Sequence, residues 1–146
     1  MQSLMTSEEA QRLVQSFMRA QGEPNSPGLN PQGFGGLAKG EAQLYFEFVS
    51  DKGELKCSAL IYRFRDAPRP GVLDGFLAEE KAGTDTGGGA VDFEKESKSL
   101  FLSRTYTTVP PDESFTIAMT RLMDASVAWG GPVFERVASR VIPAKK

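Results

Sequence analysis

The sequence predicts an α+β protein of two layers, in which a twisted, mainly antiparallel sheet packs against helices. Three observations support this fold class. Apolar residues recur at helical spacing near both ends of the chain, they alternate with polar residues in between, and glycine or proline separates the segments. With 146 residues the chain has the length of one ordinary domain, so we expect residues 1–146 to form a single domain.

The first predicted helix begins after Thr6. Thr6 and Glu9 have the spacing of a capping box, in which each side chain binds the backbone N–H of the other residue. Apolar residues then fall on one helical face, namely Ala10, Leu13, Val14, Phe17 and Met18. Gly22 ends the helix, and the segment 22–36, rich in proline and glycine, is expected to form a loop that ends in a short strand near 34–39.

Two further strands are predicted on either side of a tight turn. In the first of them the apolar residues alternate with polar ones, which is typical of a half-buried strand: Ala42, Leu44, Phe46 and Phe48. Gly53 can take the positive φ that a hairpin turn requires. The next strand covers about 55–64.

This next strand carries apolar residues on both faces. Leu55, Cys57, Ala59 and Ile61 lie on one face, and Leu60, Tyr62 and Phe64 end the other. Two interpretations of the second face stay open. Either a helix covers it, or it forms a dimer or peptide-binding surface, where aromatic residues are enriched. A bulge near Ala59 that reverses the alternation would also account for the pattern.

The second half of the chain is predicted to contain a helix, two strands and a long helix. We expect a helix over about 71–82, strands near 91–94 and 100–106, and a long helix that Asp112 caps after two prolines. The glycine-rich segment 83–89 is expected to be a mobile connection. Pro132 within Gly130-Gly131-Pro132 predicts a kink or a break in the last helix, and Trp129 is expected to pack on the sheet.

The composition excludes several classes of function. The chain has no histidine and one cysteine, so histidine-dependent triads and histidine metal sites are absent. A net charge of −2 gives no basic surface for nucleic acid. The N-terminus does not have the pattern of a signal peptide, and no apolar stretch is long enough to cross a bilayer, so we expect a cytoplasmic protein without membrane contact.

No motif for catalysis, cofactors or metals stands out. Cys57 has no histidine partner, and a buried structural thiol is the better interpretation. The glycine-rich loop lacks the Lys-Ser/Thr that follows a phosphate-binding loop. The acids between Asp74 and Glu96 match no calcium-loop spacing and alternate with apolar residues, as on a solvated face. We therefore predict no catalytic, cofactor-binding or metal-binding residues.

The order α-β-β-β-α-β-β-α resembles the type III secretion chaperone-like family, which includes the Tir chaperones. The resemblance covers nearly the whole chain and depends on order, spacing and size. The segments that carry it are the first helix up to Gln21-Gly22, the hairpin 44–48 and 59–62, the middle helix 72–77, the entry 87–93 to the second hairpin, and the strand 100–104 before the acid-capped long helix.

The resemblance implies a non-enzymatic protein, a small homodimer that holds an extended segment of a client protein. The client-binding residues would be Leu13, Phe17, Leu60, Tyr62 and Phe64. The helix with Val72, Leu73, Phe76 and Leu77 would be half core and half dimer contact. Two alternatives stay open: a stand-alone structural or regulatory domain of the same fold with no secretion role, and an enzyme that uses carboxylates or tyrosines.

Overall fold

A computed structural model describes residues 4–141 of the chain. The elements are α1 (Ser7–Ala20), β1 (Phe34–Lys39), β2 (Ala42–Val49), β3 (Glu54–Arg63), α2 (Val72–Lys81), β4 (Ala90–Glu94), β5 (Ser99–Tyr106), α3 (Asp112–Ala128), a π-helical turn (Trp129–Val133) and α4 (Phe134–Val141). This order agrees with the predicted one up to α3, and the last predicted helix is divided into three parts.

The five strands form one antiparallel sheet in the order β1-β2-β3-β5-β4. All helices in the described part of the chain lie on the same face of this sheet, which we call the helix face. The opposite face, which no described element covers, is the open face. The two-layer α+β class predicted from the sequence is therefore confirmed.

The core lies on the helix face of the sheet. Large apolar side chains recur there at helical spacing in the helices and at every second residue in the strands. From α1, Leu13, Val14 and Phe17 are fully buried, and the ring of Phe17 meets Phe46 of β2 and Phe115 of α3 edge-on. The predicted capping box is present, since Thr6 Oγ1 accepts from the Glu9 N–H at 3.1 Å and Glu9 Oε1 accepts from the Thr6 N–H at 2.9 Å.

A β-bulge at Ile61 reverses the alternation of β3. Leu60 lies opposite Phe101 of β5, and Tyr62 lies opposite Leu100. Ile61 of β3 therefore has no partner residue on β5. Before the bulge, Leu60 points to the open face. After it, Tyr62 and Phe64 point to the helix face. The apolar residues that the sequence assigned to one face are thus divided between the two.

The last predicted helix is interrupted at the proline, as expected. α3 ends at Ala128, a π-helical turn contains Pro132, and α4 then packs against α2. Trp129 is fully buried, stacks on Phe76 of α2 at a centroid distance of 6.1 Å, and donates from Nε1 to the backbone carbonyl of Asp85 at 2.8 Å.

The predicted cap of α3 is wrong in detail. Asp112 is the first residue of the helix, Pro111 occupies the capping position, and no side chain caps the helix there. The Asp112 carboxylate instead accepts a hydrogen bond from the Ser16 hydroxyl of α1 at 3.0 Å. Asp112 thereby links the first helix to the third.

Candidate protein-binding surface

The open face carries a strip of apolar side chains from four neighbouring strands. Phe34 of β1, Tyr45 of β2, Leu60 of β3 and Phe101 of β5 form this open-face strip, and the register of the sheet places all four on the same side. The rings of Tyr45 and Phe101 meet edge-on at 6.0 Å. Phe34 is 50% exposed and Tyr45 is 36% exposed.

A shallow groove of about 280 Å³ runs along this face, and polar groups form its floor. Lys56 Nζ lies 2.7 Å from Asp92 Oδ2. The Ser103 hydroxyl lies 2.9 Å from Ser58 Oγ and 3.1 Å from the same Asp92 oxygen. Because these groups bind one another, the groove offers a pre-ordered mixture of aromatic contacts and charge, which suits a peptide.

Two of the predicted client-binding residues, Leu13 and Phe17, lie inside the core. Both have no exposed surface, because α1 presents them to β2 and α3. A client cannot reach them in this conformation. Their helical spacing indicates burial, and in the structure β2 and α3 of the same chain pack against this side of α1.

Tyr62 and Phe64, also predicted to bind a client, pack against Phe134 of α4 and lie on the face opposite to that of Leu60. The ring of Tyr62 is 4.4 Å from Phe134 of α4 and 4.9 Å from Phe64, and Phe64 also meets Phe93 of β4. The bulge at Ile61 is the reason for this separation. Of the two interpretations of this face, helix cover applies to Phe64 and only in part to Tyr62, which stays 41% exposed, and the open surface applies to Leu60.

The four residues of α2 that were expected to be half core and half dimer contact divide in that way by exposure. Val72 and Phe76 are buried, and Phe76 contacts Trp129 and Phe134. Leu73 is partly buried and Leu77 is 47% exposed. Leu73 and Leu77 are therefore the two of these four residues whose side chains are accessible from outside.

Cys57 has no exposed surface and lies among the core residues. Burial raises the pKa of its thiol well above the usual range, and the nearby Arg104 offsets this only in part. The thiol is therefore protonated at neutral pH, which agrees with a structural role. In residues 4–141, no three His, Cys, Asp or Glu side chains are grouped so as to hold a metal ion. None of the helices described is both long and apolar enough to span a membrane.

Sequence reasoning missed three members of the open-face strip: Phe34, Tyr45 and Phe101. Tyr45 lies between Gln43 and Glu47 in the alternation of its strand, a pattern that is typical of a solvated face. Phe101 stands between Leu100 and Leu102, and such a run indicates a strand with apolar residues on both faces. The strip can be recognised only when the strand register is known, because the register pairs Tyr45 with Ser58 and Phe101 with Leu60.

No family model and no curated protein sequence matches this chain. Solved structures similar to it include chains of two protein complexes. A chain of the ExsC–ExsE complex aligns over 97% of this chain and 99% of its own length, with a TM-score of 0.68 and 16% identity. A chain of the HopA1–SchA chaperone–effector complex aligns over 85% of this chain and 94% of its own, with a TM-score of 0.61 and 14% identity.

These likenesses extend over nearly the whole of both chains, so they concern the complete arrangement of sheet and helices. At such low identity they establish the fold alone. The fold class predicted from the sequence is confirmed: this chain has an open five-stranded antiparallel sheet with its helices on one face, and its fold is similar to that of the aligned chain of each complex.

Proposed function

We propose that this chain is a non-enzymatic, chaperone-like protein that holds an extended segment of a protein client on the open face of its sheet. We further propose that the client is a secreted protein, as for the type III secretion chaperones that the sequence resembles. The observation that carries the proposal is the one-sided cover of the sheet, which leaves Phe34, Tyr45 and part of Leu60 in the open-face strip accessible to solvent.

The chemistry of the open face supports a peptide rather than a small substrate. Burial of apolar surface contributes about 25 cal/mol for each Å² removed from water, without any reactive group. Phe34, Tyr45 and Leu60 provide such surface on three neighbouring strands. The side chains of an extended peptide alternate in direction, so every second client residue would contact the strip.

The sheet edges are less suited to bind the client, because the chain's own groups already occupy part of each. At the β4 edge, the Val91 N–H donates to Glu80 Oε2 at 2.9 Å. At the β1 edge, the Phe34 carbonyl accepts from the Asn30 N–H at 2.7 Å. A client strand would have to displace these groups, so we favour side-chain contacts on the open face over strand addition.

The similarity to a chain of a chaperone–effector complex supports the class of partner, a protein client. The similarity to a chain of the ExsC–ExsE complex supports a function carried out in contact with another protein. Neither comparison identifies the client of this chain, and the residues proposed here to bind it come from the open face of this structure.

We propose a homodimer that forms through the exposed side of α2. Leu73 and Leu77 lie on that side, and Val72 and Phe76 support them from within the core. Leu77→Asp is expected to shift the mass measured by light scattering after gel filtration from the dimer to the monomer. The control is Val127→Asp on α3, since Val127 is 37% exposed and lies on another element. A wild-type chain that is monomeric at micromolar concentration would contradict this proposal.

The client proposal is tested by affinity capture from a lysate of the native host. Tyr45→Asp and Leu60→Asp are expected to abolish the capture of a partner that wild-type protein retains. Val127→Asp serves as the control because Val127 and Tyr45 are almost equally exposed, at 37% and 36%. Thermal unfolding establishes that each variant is folded, and Tyr45→Ser replaces Tyr45→Asp if the charged variant unfolds.

Photo-crosslinking locates the contact. A photoreactive phenylalanine at Phe34 is expected to crosslink to the captured client, whereas the same group at Val127 is not. Equal crosslinking from both positions, or unchanged capture by the open-face variants, would show that the client binds elsewhere.

A further inference from the structure

A cavity of about 470 Å³ lies on the helix face, between the end of β5, the first half of α3 and the loop 83–89. It is separate from the open face. Two arginines line it, Arg104 from β5 and Arg121 from α3. Apolar groups complete the wall, and they belong to Tyr106, Pro110, Ile117 and Ala118. The volume is in the range of pockets that hold small molecules.

Arg104 is held in place at the edge of the core. It lies opposite Cys57 in the sheet register and is partly buried. Its guanidinium carbon is 4.8 Å from the centre of the Tyr106 ring, a distance at which the cation and the aromatic face attract each other. The guanidinium is therefore positioned before any ligand arrives, which reduces the entropy lost on binding.

The charges of the cavity favour an anion. Neither Arg104 nor Arg121 forms an ion pair with any residue between 4 and 141. Asp85 also lines the cavity, and its Oδ1 accepts a hydrogen bond from the Gly87 N–H at 2.9 Å. The lining thus carries two formal positive charges and one negative charge.

The loop 83–89 forms a fixed wall of this cavity. Gly87 and Gly88 both have positive φ, at 65° and 89°. A Cβ at Gly87 would lie 2.4 Å from the backbone oxygen of Arg121, and a Cβ at Gly88 would lie 3.2 Å from Arg104 Nη1. Only glycine permits the loop to approach both arginines so closely. The glycine-rich segment, predicted to be a mobile connection, thus packs closely against α3 in the structure.

We propose that this cavity binds a small anionic ligand, whose carboxylate or phosphate group meets Arg104 and Arg121 and whose apolar body contacts Tyr106 and Ile117. The planar fork of a guanidinium matches both kinds of anion with paired hydrogen bonds. Because part of the lining is apolar, a bare inorganic ion would leave that part of the cavity without a contact. This site is independent of the open face, and either proposal can fail without the other.

Binding is tested by an NMR titration of the isotope-labelled full chain with three probes. They are phenyl phosphate, phenylacetate and the neutral benzyl alcohol. We expect saturable shifts of the Gly87 and Gly88 amides and of the Arg104 and Arg121 side-chain N–H signals with the two anions. Benzyl alcohol is expected to bind about tenfold more weakly than either anion, or not at all. If phenyl phosphate binds more tightly, the ligand class is a phosphate ester. If phenylacetate binds more tightly, the ligand class is a carboxylate.

Variants separate the site from general charge attraction. Arg121→Gln, at an exposed position, is expected to weaken the preferred anion about tenfold, and Arg104→Lys, which keeps the charge and loses the fork, to weaken it less. The control Arg12→Gln removes an exposed arginine of α1 and is expected to leave the affinity unchanged. The proposal is overturned if no anion gives saturable shifts at these residues, or if Arg12→Gln weakens binding as much as Arg121→Gln.

Discussion

The Glu79 carboxylate of α2 accepts two hydrogen bonds from the Arg136 guanidinium of α4, at 2.7 Å from Nη2 and 3.1 Å from Nε. The same carboxylate also binds Arg140 and the Thr84 hydroxyl. Glu79 is only 5% exposed, while both arginines reach into solvent. This one buried acid ties α4 to α2 and thereby holds α4 over Tyr62 and Phe64.

Replacement of Glu79 by glutamine is expected to loosen α4. The variant keeps the shape of the side chain and loses the charge that three donors share. Because the arginines are half exposed, we expect the free energy of unfolding to fall by only about 1–2 kcal/mol. Hydrogen exchange should increase within residues 134–140 more than elsewhere. Glu135→Gln, an exposed acid of α4, is the matched control and should change neither quantity.

The stability contributed by Glu79 is expected to depend on pH in the acid range. Hydrogen bonds from Arg136, then Thr84 and Arg140, hold the pKa of this carboxyl well below its usual range in the folded protein. The unfolded chain takes up the proton near pH 4.3, so it binds more protons than the folded chain at acid pH. The contribution is thus fully present above about pH 5 and is lost progressively at lower pH.

Denaturant unfolding of wild type and Glu79→Gln between pH 3 and 7 measures this effect. The stability difference between the two proteins should be constant above about pH 5.5 and should narrow below about pH 4. A difference that stays constant down to pH 3 would show that the Arg136 and Arg140 contacts do not stabilise the charged form.

The two neighbouring glycines of the π-helical turn are expected to differ in their response to alanine. A Cβ at Gly130 would lie 2.6 Å from the backbone oxygen of Ile61, whereas a Cβ at Gly131 would meet no atom within 4 Å outside its own chain neighbours. Gly130→Ala should therefore lower the free energy of unfolding by about 1–3 kcal/mol. Gly131→Ala should lower it by less, since the gain in helix propensity is offset by the contact of a Cβ with the ring of the following Pro132. Equal effects of the two changes would contradict the close approach of this turn to β3.

Cys57 is expected to be unreactive in the folded protein. Since burial raises the pKa of its thiol and denies access to reagents, the native protein should react with a disulfide reagent at least about a hundredfold more slowly than the denatured protein. Cys57→Ser should be less stable than Cys57→Ala, because serine buries a hydroxyl among apolar side chains. Rapid reaction of the native thiol would place Cys57 at an accessible position.

The sequence predicts most of the local structure, since local signals are strong in this chain. The capping pair Thr6 and Glu9, the alternation from Ala42 to Phe48 and the turn at Gly53 each involve residues close in sequence, and each is present in the structure. The break at Pro132 is equally local, because a proline removes a backbone donor wherever it stands in a helix.

The candidate sites were harder to predict because they depend on register and on distant pairings. Arg136 is 57 residues from Glu79, and no periodicity connects them. The division of β3 follows from a shift of one residue against β5, a strand that is distant in the sequence. Gly87 appeared to favour mobility, whereas its absent side chain permits contact with α3.

The bulge at Ile61 also has an evolutionary consequence. Position 60 belongs to the surface proposed for client recognition, and position 62 belongs to the packing under α4, although the two stand two residues apart in one strand. The side chains at the two positions therefore have different neighbours. Natural selection can alter the range of partners at residue 60 while the residues beneath α4 preserve the integrity of the fold.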